Sequence, residues 1–139
     1  MEWVPQAIKH TVDLGFEGAD EALMIDADHD RLRELINNLI DNAIRYTREH
    51  GRVTVRTART ADGQAQLAIS DDGPRIPVAE RARIFERFHR LLGTQADGSG
   101  LGLAIVSEIA SLHGARIALE EDTDGIGNTF SVFFRLRAA

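Results

Sequence analysis

The feature that decides the fold is the stretch Leu35-Ile36-Asn37-Asn38-Leu39-Ile40-Asp41-Asn42-Ala43-Ile44-Arg45-Tyr46-Thr47. Its apolar residues recur at spacings of three and four, which is typical of an amphipathic helix with one face against a core. Asn38 and Asn42 lie one turn apart beside that apolar stripe, so their amides project in the same direction. Asparagine is a poor helix former because its side chain competes for backbone hydrogen bonds. The pair is therefore either two solvated amides on a helix edge or a source of neutral oxygen ligands for a hard cation such as Mg²⁺.

Length and composition predict one soluble globular domain over residues 1–139. The chain is 43% apolar and 27% charged, which is ordinary for such a domain. A formal net charge of −6 argues against nucleic acid as a partner, because phosphate backbones attract Lys and Arg. The chain has no cysteine, which excludes disulfides and thiolate chemistry. No apolar run approaches the roughly 20 residues of a membrane-spanning helix, so we expect no direct membrane contact.

Around the central helix, which we expect to begin at Asp28 or Asp30 and to end at Thr47, strands and helices alternate. Strands are predicted at residues 11–16, 22–26, 53–58, 66–70, 116–120 and 129–136. Further helices are predicted at residues 5–10, in short pieces over 78–88, and at 101–112. The Asp62-Gly63 pair favours a hairpin, and Gly114 is expected to end the last helix. This order predicts an α+β protein built as a two-layer sandwich of helices on a sheet.

One carboxylate follows a buried strand. Leu67, Ile69 and Asp71 point to the same face at a period of two, so Asp71 is carried towards the interior. A buried carboxylate is costly unless it is hydrogen-bonded, and a ligand amine such as the exocyclic amino group of adenine would satisfy it. Gly73 would let a ligand ring approach the backbone. Alternatively, Asp71 and Asp72 merely open a turn at the surface.

A second glycine cluster, Gly98-Ser99-Gly100-Leu101-Gly102-Leu103, opens the last long helix. Unpaired N–H groups and the helix dipole make such a start an anion site, and glycines let phosphate oxygens reach the backbone. The spacing matches neither the Walker loop nor the dinucleotide fingerprint. The alternative is that the glycines only allow tight helix packing. The helix itself is expected to turn five apolar residues inward, namely Leu101, Ile105, Val106, Ile109 and Leu112.

Residues 90–97, which precede this glycine cluster, are polar, contain Gly93 and are long enough to act as a mobile lid. Arginines near the predicted site are candidates to neutralise a polyphosphate, although each alone could be a surface charge. These arginines are Arg45, Arg87 and Arg90.

Five segments, in this order, resemble the conserved boxes of the catalytic ATP-binding domain of bacterial two-component sensor histidine kinases. The N box matches Asn38-Leu39-Ile40-Asp41-Asn42-Ala43-Ile44-Arg45-Tyr46-Thr47, and the G1 box resembles Asp71-Asp72-Gly73-Pro74-Arg75-Ile76-Pro77. The F box is similar to Arg83-Ile84-Phe85-Glu86-Arg87-Phe88, and the G2 box to residues 98–106. The G3 box resembles Gly125-Ile126-Gly127-Asn128-Thr129-Phe130. Each box alone is modest evidence, whereas the ordered set covers nearly the whole chain.

This resemblance implies the Bergerat fold shared with Hsp90, gyrase and MutL, a group also called GHKL, with a mixed, largely antiparallel sheet and an ATP lid. It implies ATP and Mg²⁺ as cofactors, with Asn42 ligating Mg²⁺, Asn38 close to the phosphates and Asp71 accepting the adenine amino group. Gly73 and Thr129 would line the base pocket, and Gly100 and Gly102 would present backbone to phosphate. The remaining implied nucleotide-binding residues are Arg45, Tyr46, Ile76, Arg90, Gly98, Leu101 and Leu103.

Two departures from the family pattern matter. Where the G1 box usually has a second glycine, this chain has Arg75, so we expect a strained or reshaped turn and weaker nucleotide binding. The phosphoacceptor histidine is also absent. His29-Asp30 imitates the start of the acceptor motif but lacks the downstream proline, so we interpret it as a helix cap. We therefore expect the dimerisation and phosphoacceptor domain to precede this chain in a longer protein of the bacterial inner membrane, with this domain on the cytoplasmic side and monomeric in isolation.

The resemblance implies a protein-histidine kinase in a phosphorelay that reaches a response regulator indirectly. ATPase relatives place a Glu where Asn38 stands, and Asn cannot act as a general base, so fast hydrolysis is not expected. The alternatives are an ATPase module of the gyrase or Hsp90 kind and a nucleotide-binding regulatory domain without kinase activity. A serine kinase of the anti-sigma type shares the fold as well.

Overall fold

The computed structural model describes residues 13–18, 23–47, 50–74, 76–81, 83–85, 102–120 and 127–136. The strands in these ranges are β1 (Asp13–Glu17), β2 (Arg52–Arg59), β3 (Gln64–Asp71), β4 (Arg116–Glu120) and β5 (Asn128–Arg135). The helices are α1 (His29–Tyr46), α2 (Val78–Arg81) and α3 (Gly102–Leu112). The helix predicted at residues 5–10 and the lid predicted at 90–97 lie outside the described residues.

The strands form one sheet in the order β1-β2-β3-β5-β4. β1 runs parallel to β2, and the other three pairs are antiparallel. Gly63, with φ of 81°, closes the predicted hairpin between β2 and β3, and Thr60 N–H donates to the Gln64 carbonyl at 2.9 Å. The inner faces of the strands and the apolar faces of α1 and α3 share a single core. This mixed, largely antiparallel sheet with helices on it confirms the predicted α+β sandwich.

Helix α1 forms where the apolar stripe predicts it. Asp28 caps it, because the Asp28 carboxylate accepts from the N–H groups of Asp30 and Arg31 at 3.1 Å each. Thr47 ends it, and its N–H donates to the Ala43 carbonyl at 2.9 Å. The stripe lies in the core or against it, with five of its residues buried: Leu35, Leu39, Ile40, Ala43 and Ile44.

Helix α3 ends at a left-handed Gly114, with φ of 62°, as predicted. The prediction that Leu112 turns inward is wrong, since 72% of Leu112 is exposed. The buried stripe begins at Leu103 and continues through Val106 and Ala110. At about 100° per residue, Leu112 lies on the side of the helix opposite Leu103.

The strand predicted at residues 22–26 is also wrong, because residues 23–28 form neither strand nor helix. The alternation behind the prediction is real. Leu23 and Ile25 pack against the core, whereas Met24 is 58% exposed. The segment therefore contributes apolar side chains to the core, but a strand also requires backbone pairing with a neighbouring strand.

The start of α1 is tied to the end of α3. The Asp28 N–H donates to Nε2 of His113 at 3.0 Å, and Nδ1 of the same ring lies 2.8 Å from the Ile109 carbonyl. Since Nε2 accepts, Nδ1 carries the proton and donates. The two helices therefore run antiparallel, which brings the first turn of α3 beside the middle of α1. In the described ranges, no helix combines the length and the apolar character that crossing a bilayer requires.

Candidate functional site

The predicted carboxylate, Asp71, is the last residue of β3. Asp71 is 4% exposed, and its neighbour across the sheet is Asn128, the first residue of β5. Oδ1 of Asp71 accepts from the Gly73 N–H at 2.9 Å and from the Asn128 amide at 3.2 Å. Oδ2 is buried and has no hydrogen-bond partner. Buried polar atoms are normally satisfied, so an open carboxylate oxygen marks a place where a ligand donor fits.

Burial raises the pKa of the Asp71 carboxyl from 3.8 to about 6. The hydrogen bonds from Gly73 and Asn128 oppose this rise because they stabilise the charged form, and the nearby charge of Asp72 adds to it. Asp71 is thus ionised at neutral pH at some cost to the fold. A perturbed carboxyl in this setting is typical of a functional site.

The turn after β3 is held by contacts on both sides. Asn128 donates to the Pro74 carbonyl at 2.9 Å and accepts from the Ile76 N–H at 2.8 Å. Oδ1 of Asp72 accepts from the Thr47 hydroxyl at 2.6 Å, which joins the turn to the end of α1. Asn42 is five residues before Thr47, about 7.5 Å along the helix axis. The C-terminal part of α1, which carries Asn42, therefore lies beside the turn that follows Asp71.

Gly127 makes this arrangement possible. Its φ is 76°, and a Cβ at this position would lie 2.8 Å from the Asp71 carbonyl carbon and 2.9 Å from the Asp72 Cα. Both neighbours are backbone atoms, which cannot move aside as a flexible side chain can. Only glycine fits at residue 127.

The two predicted amides lie on the side of α1 that meets α3. Asn38 donates through Nδ2 to the Glu34 carbonyl at 3.0 Å. A Cβ on Gly102 would lie 3.5 Å from Asn38 Oδ1, which is an ordinary contact distance. Helix packing therefore does not account for a glycine at residue 102. Nδ2 of Asn42 is buried without a hydrogen-bond partner.

The remaining predicted residues fall into three groups. Gly73 and Ile76 lie at the Asp71 turn, while Leu103 packs in the core. Nε of Arg45 forms an ion pair with Asp41 at 2.9 Å, and Tyr46 ends α1. Four more lie outside the described residues, as do Arg75 and Arg87: Arg90, Gly98, Gly100 and Leu101.

Thr129 is the predicted residue that the structure does not bring to the Asp71 carboxylate. Successive side chains of a strand point to opposite faces. The Thr129 hydroxyl lies 2.9 Å from that of Ser70, on the face of the sheet opposite to Asp71, which we call the outer face. Sequence reasoning missed Asn128, which occupies the inner position. The sequence pattern could have predicted this position. Phe130, Val132 and Phe134 point inward at a period of two, and Asn128 continues that series.

A separate cavity of about 330 Å³ lies at the hairpin end of the sheet, away from Asp71. Its lining is mainly apolar and includes Leu23, Ile25, Leu32, Ile36 and Phe134. Such a lining offers little to a charged ligand, so we place the candidate site at the Asp71 end. Among the described residues, no cluster of three His, Cys, Asp or Glu side chains could hold a metal ion by itself.

Comparison with known proteins identifies the family of the chain. The family described as histidine kinase-, DNA gyrase B- and HSP90-like ATPase matches residues 27–138. The swarming motility regulation sensor protein RssA of Serratia marcescens is 34% identical over 129 residues, which are 93% of this chain and 27% of RssA. The chain thus spans about a quarter of that relative.

Solved structures give the same result. The mycobacterial sensor histidine kinase MprB superposes with a TM-score of 0.85 at 28% identity, covering 97% of this chain and 91% of that one. Full-length ShkA, solved in complex with AMPPNP, superposes with a TM-score of 0.82 at 30% identity, covering 99% of this chain and 28% of that one. The chain therefore belongs to the family of histidine kinase-, DNA gyrase B- and HSP90-like ATPases, and it resembles the sensor histidine kinases of that family in both sequence and fold.

Proposed function

We propose that this chain binds Mg-ATP and donates the γ-phosphoryl group to a histidine of a dimerisation domain that the chain does not contain. The observation that carries the proposal is the open Oδ2 of Asp71. This atom is a buried hydrogen-bond acceptor without a donor, in a family whose members bind ATP. The exocyclic amino group of adenine supplies such a donor, with Gly73 and Ile76 lining the base.

At the phosphate end, we assign Asn38, Asn42 and the first turn of α3 to the triphosphate. The buried Nδ2 of Asn42 fits this role, because a half-turn of the amide exchanges it with Oδ1, and either atom then faces a ligand. Asn42 would hold Mg²⁺ together with phosphate oxygens, since one neutral amide cannot bind it alone. Bound there, Mg²⁺ would neutralise charge on the phosphates.

The other predicted nucleotide contacts stay part of this proposal. Arg45, close to the phosphates, would exchange its ion pair with Asp41 for phosphate contacts. Tyr46 would border the base, whereas Thr129 is not assigned to it, because its hydroxyl lies beside Ser70 on the opposite face of the sheet. The glycine-rich segment and the lid would contribute Arg90, Gly98, Gly100, Gly102, Leu101 and Leu103.

Transfer is favoured over hydrolysis by the amide at residue 38, where the ATPase relatives have a Glu. In the reaction, the bond from the γ-phosphorus to the β–γ bridging oxygen breaks as an imidazole nitrogen bonds to that phosphorus, so positioning and charge neutralisation do most of the work. Asn38 cannot take a proton from water. Glu34, one turn earlier, is engaged with Arg31 at 3.2 Å at the surface.

The partner of this reaction is the dimerisation and phosphoacceptor domain of the same kinase, and a response regulator would take the phosphoryl group from it. We propose that the chain is a single monomeric domain of a longer kinase in the bacterial inner membrane, positioned on the cytoplasmic side. ATP would then reach it from the cytoplasm.

Calorimetric titration of the chain with ATP and ADP, with and without Mg²⁺, tests the nucleotide site. We expect both nucleotides to bind, and we expect the affinity for ATP to increase when Mg²⁺ is present. Addition of a separately produced dimerisation domain and γ-labelled ATP should then label its histidine. Steady phosphate release without any acceptor would instead indicate an ATPase module, and tight nucleotide binding without transfer to any acceptor would indicate a regulatory domain.

A further inference from the structure

Both polar atoms of the Asn128 side chain form hydrogen bonds at the end of β3. It is 3% exposed, and its carboxamide makes three hydrogen bonds, to Asp71 Oδ1, to the Pro74 carbonyl and from the Ile76 N–H. These partners are more than 50 residues away in the sequence. A contact made at such a distance along the chain serves the tertiary arrangement of the turn rather than local folding of β5.

Two of these bonds lie on either side of residue 75. The Pro74 carbonyl and the Ile76 N–H belong to the peptide groups that flank it, and the carboxamide accepts from one and donates to the other. A neighbouring strand makes the same pair of bonds in a parallel ladder. The side chain thus replaces a backbone partner for the Pro74 carbonyl and the Ile76 N–H.

The third bond decides which oxygen of Asp71 remains open. Oδ1 receives both the Gly73 N–H and the Asn128 amide, so Oδ2 alone is left for a ligand. An ionised carboxylate only accepts hydrogen bonds. The open Oδ2 of Asp71 therefore favours a purine with an amino group at C6 and disfavours a purine with a carbonyl oxygen at C6.

We propose that Asn128 is the positioning residue that makes Asp71 selective for a 6-aminopurine, by bonding to both Pro74 and Ile76 and by keeping Oδ1 of Asp71 occupied. This inference rests on the proposed function, because it assumes that a purine nucleotide binds beside Asp71. The Asn128 bond also opposes the effect of burial on the pKa of Asp71. Without it, Asp71 would hold its proton to a higher pH, and a protonated carboxyl can donate to a C6 carbonyl.

The test compares ATP with inosine triphosphate, which differs at C6 of the base and carries the same triphosphate. Their affinities for the full chain are measured with Mg²⁺ from pH 5.5 to 8 in the parent, in Asn128→Ala and in Ser131→Ala. Ser131 is a matched control, since it is a buried polar residue of the same strand that bonds to Gln66 on the outer face.

For Asn128→Ala, we expect ATP binding to weaken about 10- to 100-fold and inosine triphosphate binding to change less than about threefold. The pH below which the ATP preference disappears should also rise. Ser131→Ala should keep the parent ratio. If Asn128→Ala does not fold, Asn128→Leu replaces it, because leucine has a similar shape and makes none of the three hydrogen bonds. The same loss of preference for ATP over inosine triphosphate is expected.

Equal weakening of both nucleotides with an unchanged pH profile would mean that Asn128 only supports the fold, and it would overturn the inference. An unchanged ATP preference in the variant would overturn it as well. Both results leave the proposed function intact. A parent that binds neither nucleotide would overturn the proposed function and this inference together.

Discussion

The end of β3 and the middle of α1 both carry buried polar groups, yet only the end of β3 is fixed by a network of hydrogen bonds. There, Asn128, Gly73 and the Asp72–Thr47 contact hold the turn, and a single acceptor, Asp71 Oδ2, is left open. On α1, Asn42 keeps a buried amide nitrogen without a partner. We therefore propose a rigid base-binding end, set by sheet pairing, and a phosphate-binding end at which the Asn42 amide nitrogen is satisfied only when ligand binds.

Breaking the rigid end should have the largest effect. Gly127→Ala would place a Cβ against the backbone of Asp71 and Asp72 at a positive φ, so we expect a loss of about 3 kcal/mol or more in unfolding free energy. Denaturant titration measures it. Gly63→Ala is the matched control, since Gly63 has φ of 81° but nothing within 4 Å, and it should lose only about 1 kcal/mol. Equal losses in the two variants would contradict a steric role for Gly127.

A pH titration separates stability from binding at the same carboxyl. Since burial raises the pKa of Asp71 to about 6, the folded state prefers the protonated form. This group should therefore reduce the unfolding free energy by about 3 kcal/mol as pH rises from about 4 to about 6. Adenosine affinity should change in the opposite direction and fall as pH drops below about 6. Asp71→Asn is the control, because it removes the titrating group, and a pH dependence equal to that of the parent would exclude Asp71 as its source.

Asp71→Asn also tests the base end directly. The variant keeps an acceptor for the Gly73 N–H but offers an amide in place of the charged oxygen, so we expect affinity for adenosine, ADP and ATP to fall by about 100-fold each. Calorimetry with the three ligands measures the loss. A loss confined to ATP would place Asp71 at the phosphates instead of the base.

A substitution at the phosphate end should weaken the binding of Mg-ATP but not that of adenosine. Asn42→Ala removes the unsatisfied amide, and we expect Mg-ATP affinity to fall about tenfold while adenosine binding stays as in the parent. Binding is measured with and without Mg²⁺. If the variant bound Mg-ATP as tightly as the parent does, the assignment of Asn42 to the metal would be wrong.

Gly102→Ala should have the smallest effect on stability. A Cβ there meets only Asn38 Oδ1 at 3.5 Å, so the fold should be unchanged or gain up to about 1 kcal/mol from the better helix former. Thermal unfolding checks this. Weaker ATP binding in a variant that is as stable as the parent would support the proposal that residue 102 presents its backbone to phosphate. A marked loss of stability would favour the packing alternative.

Much of this arrangement is visible in the sequence because its causes are local. The spacing of Leu35, Leu39 and Ala43 predicts α1 and its buried face, and the period of two at Leu67 and Ile69 predicts that Asp71 points inward. Turn chemistry predicts Gly63 and Gly114 at positive φ. The predictions for Leu112 and Thr129 are wrong because they do not fit the periods of their own elements. The period of α3 turns Leu112 outward, and the period of two in β5 turns Asn128, not Thr129, towards Asp71.

The sequence by itself determined the α+β class, the family and the inward carboxylate, since helix and strand periods and box motifs depend on neighbours a few residues apart. Only the tertiary structure decided that Asn128 meets Asp71, because strand pairing joins residues 57 positions apart. It also decided that Leu23 and Ile25 pack without forming a strand. Pairing depends on which backbone lies alongside, and no local pattern contains that information.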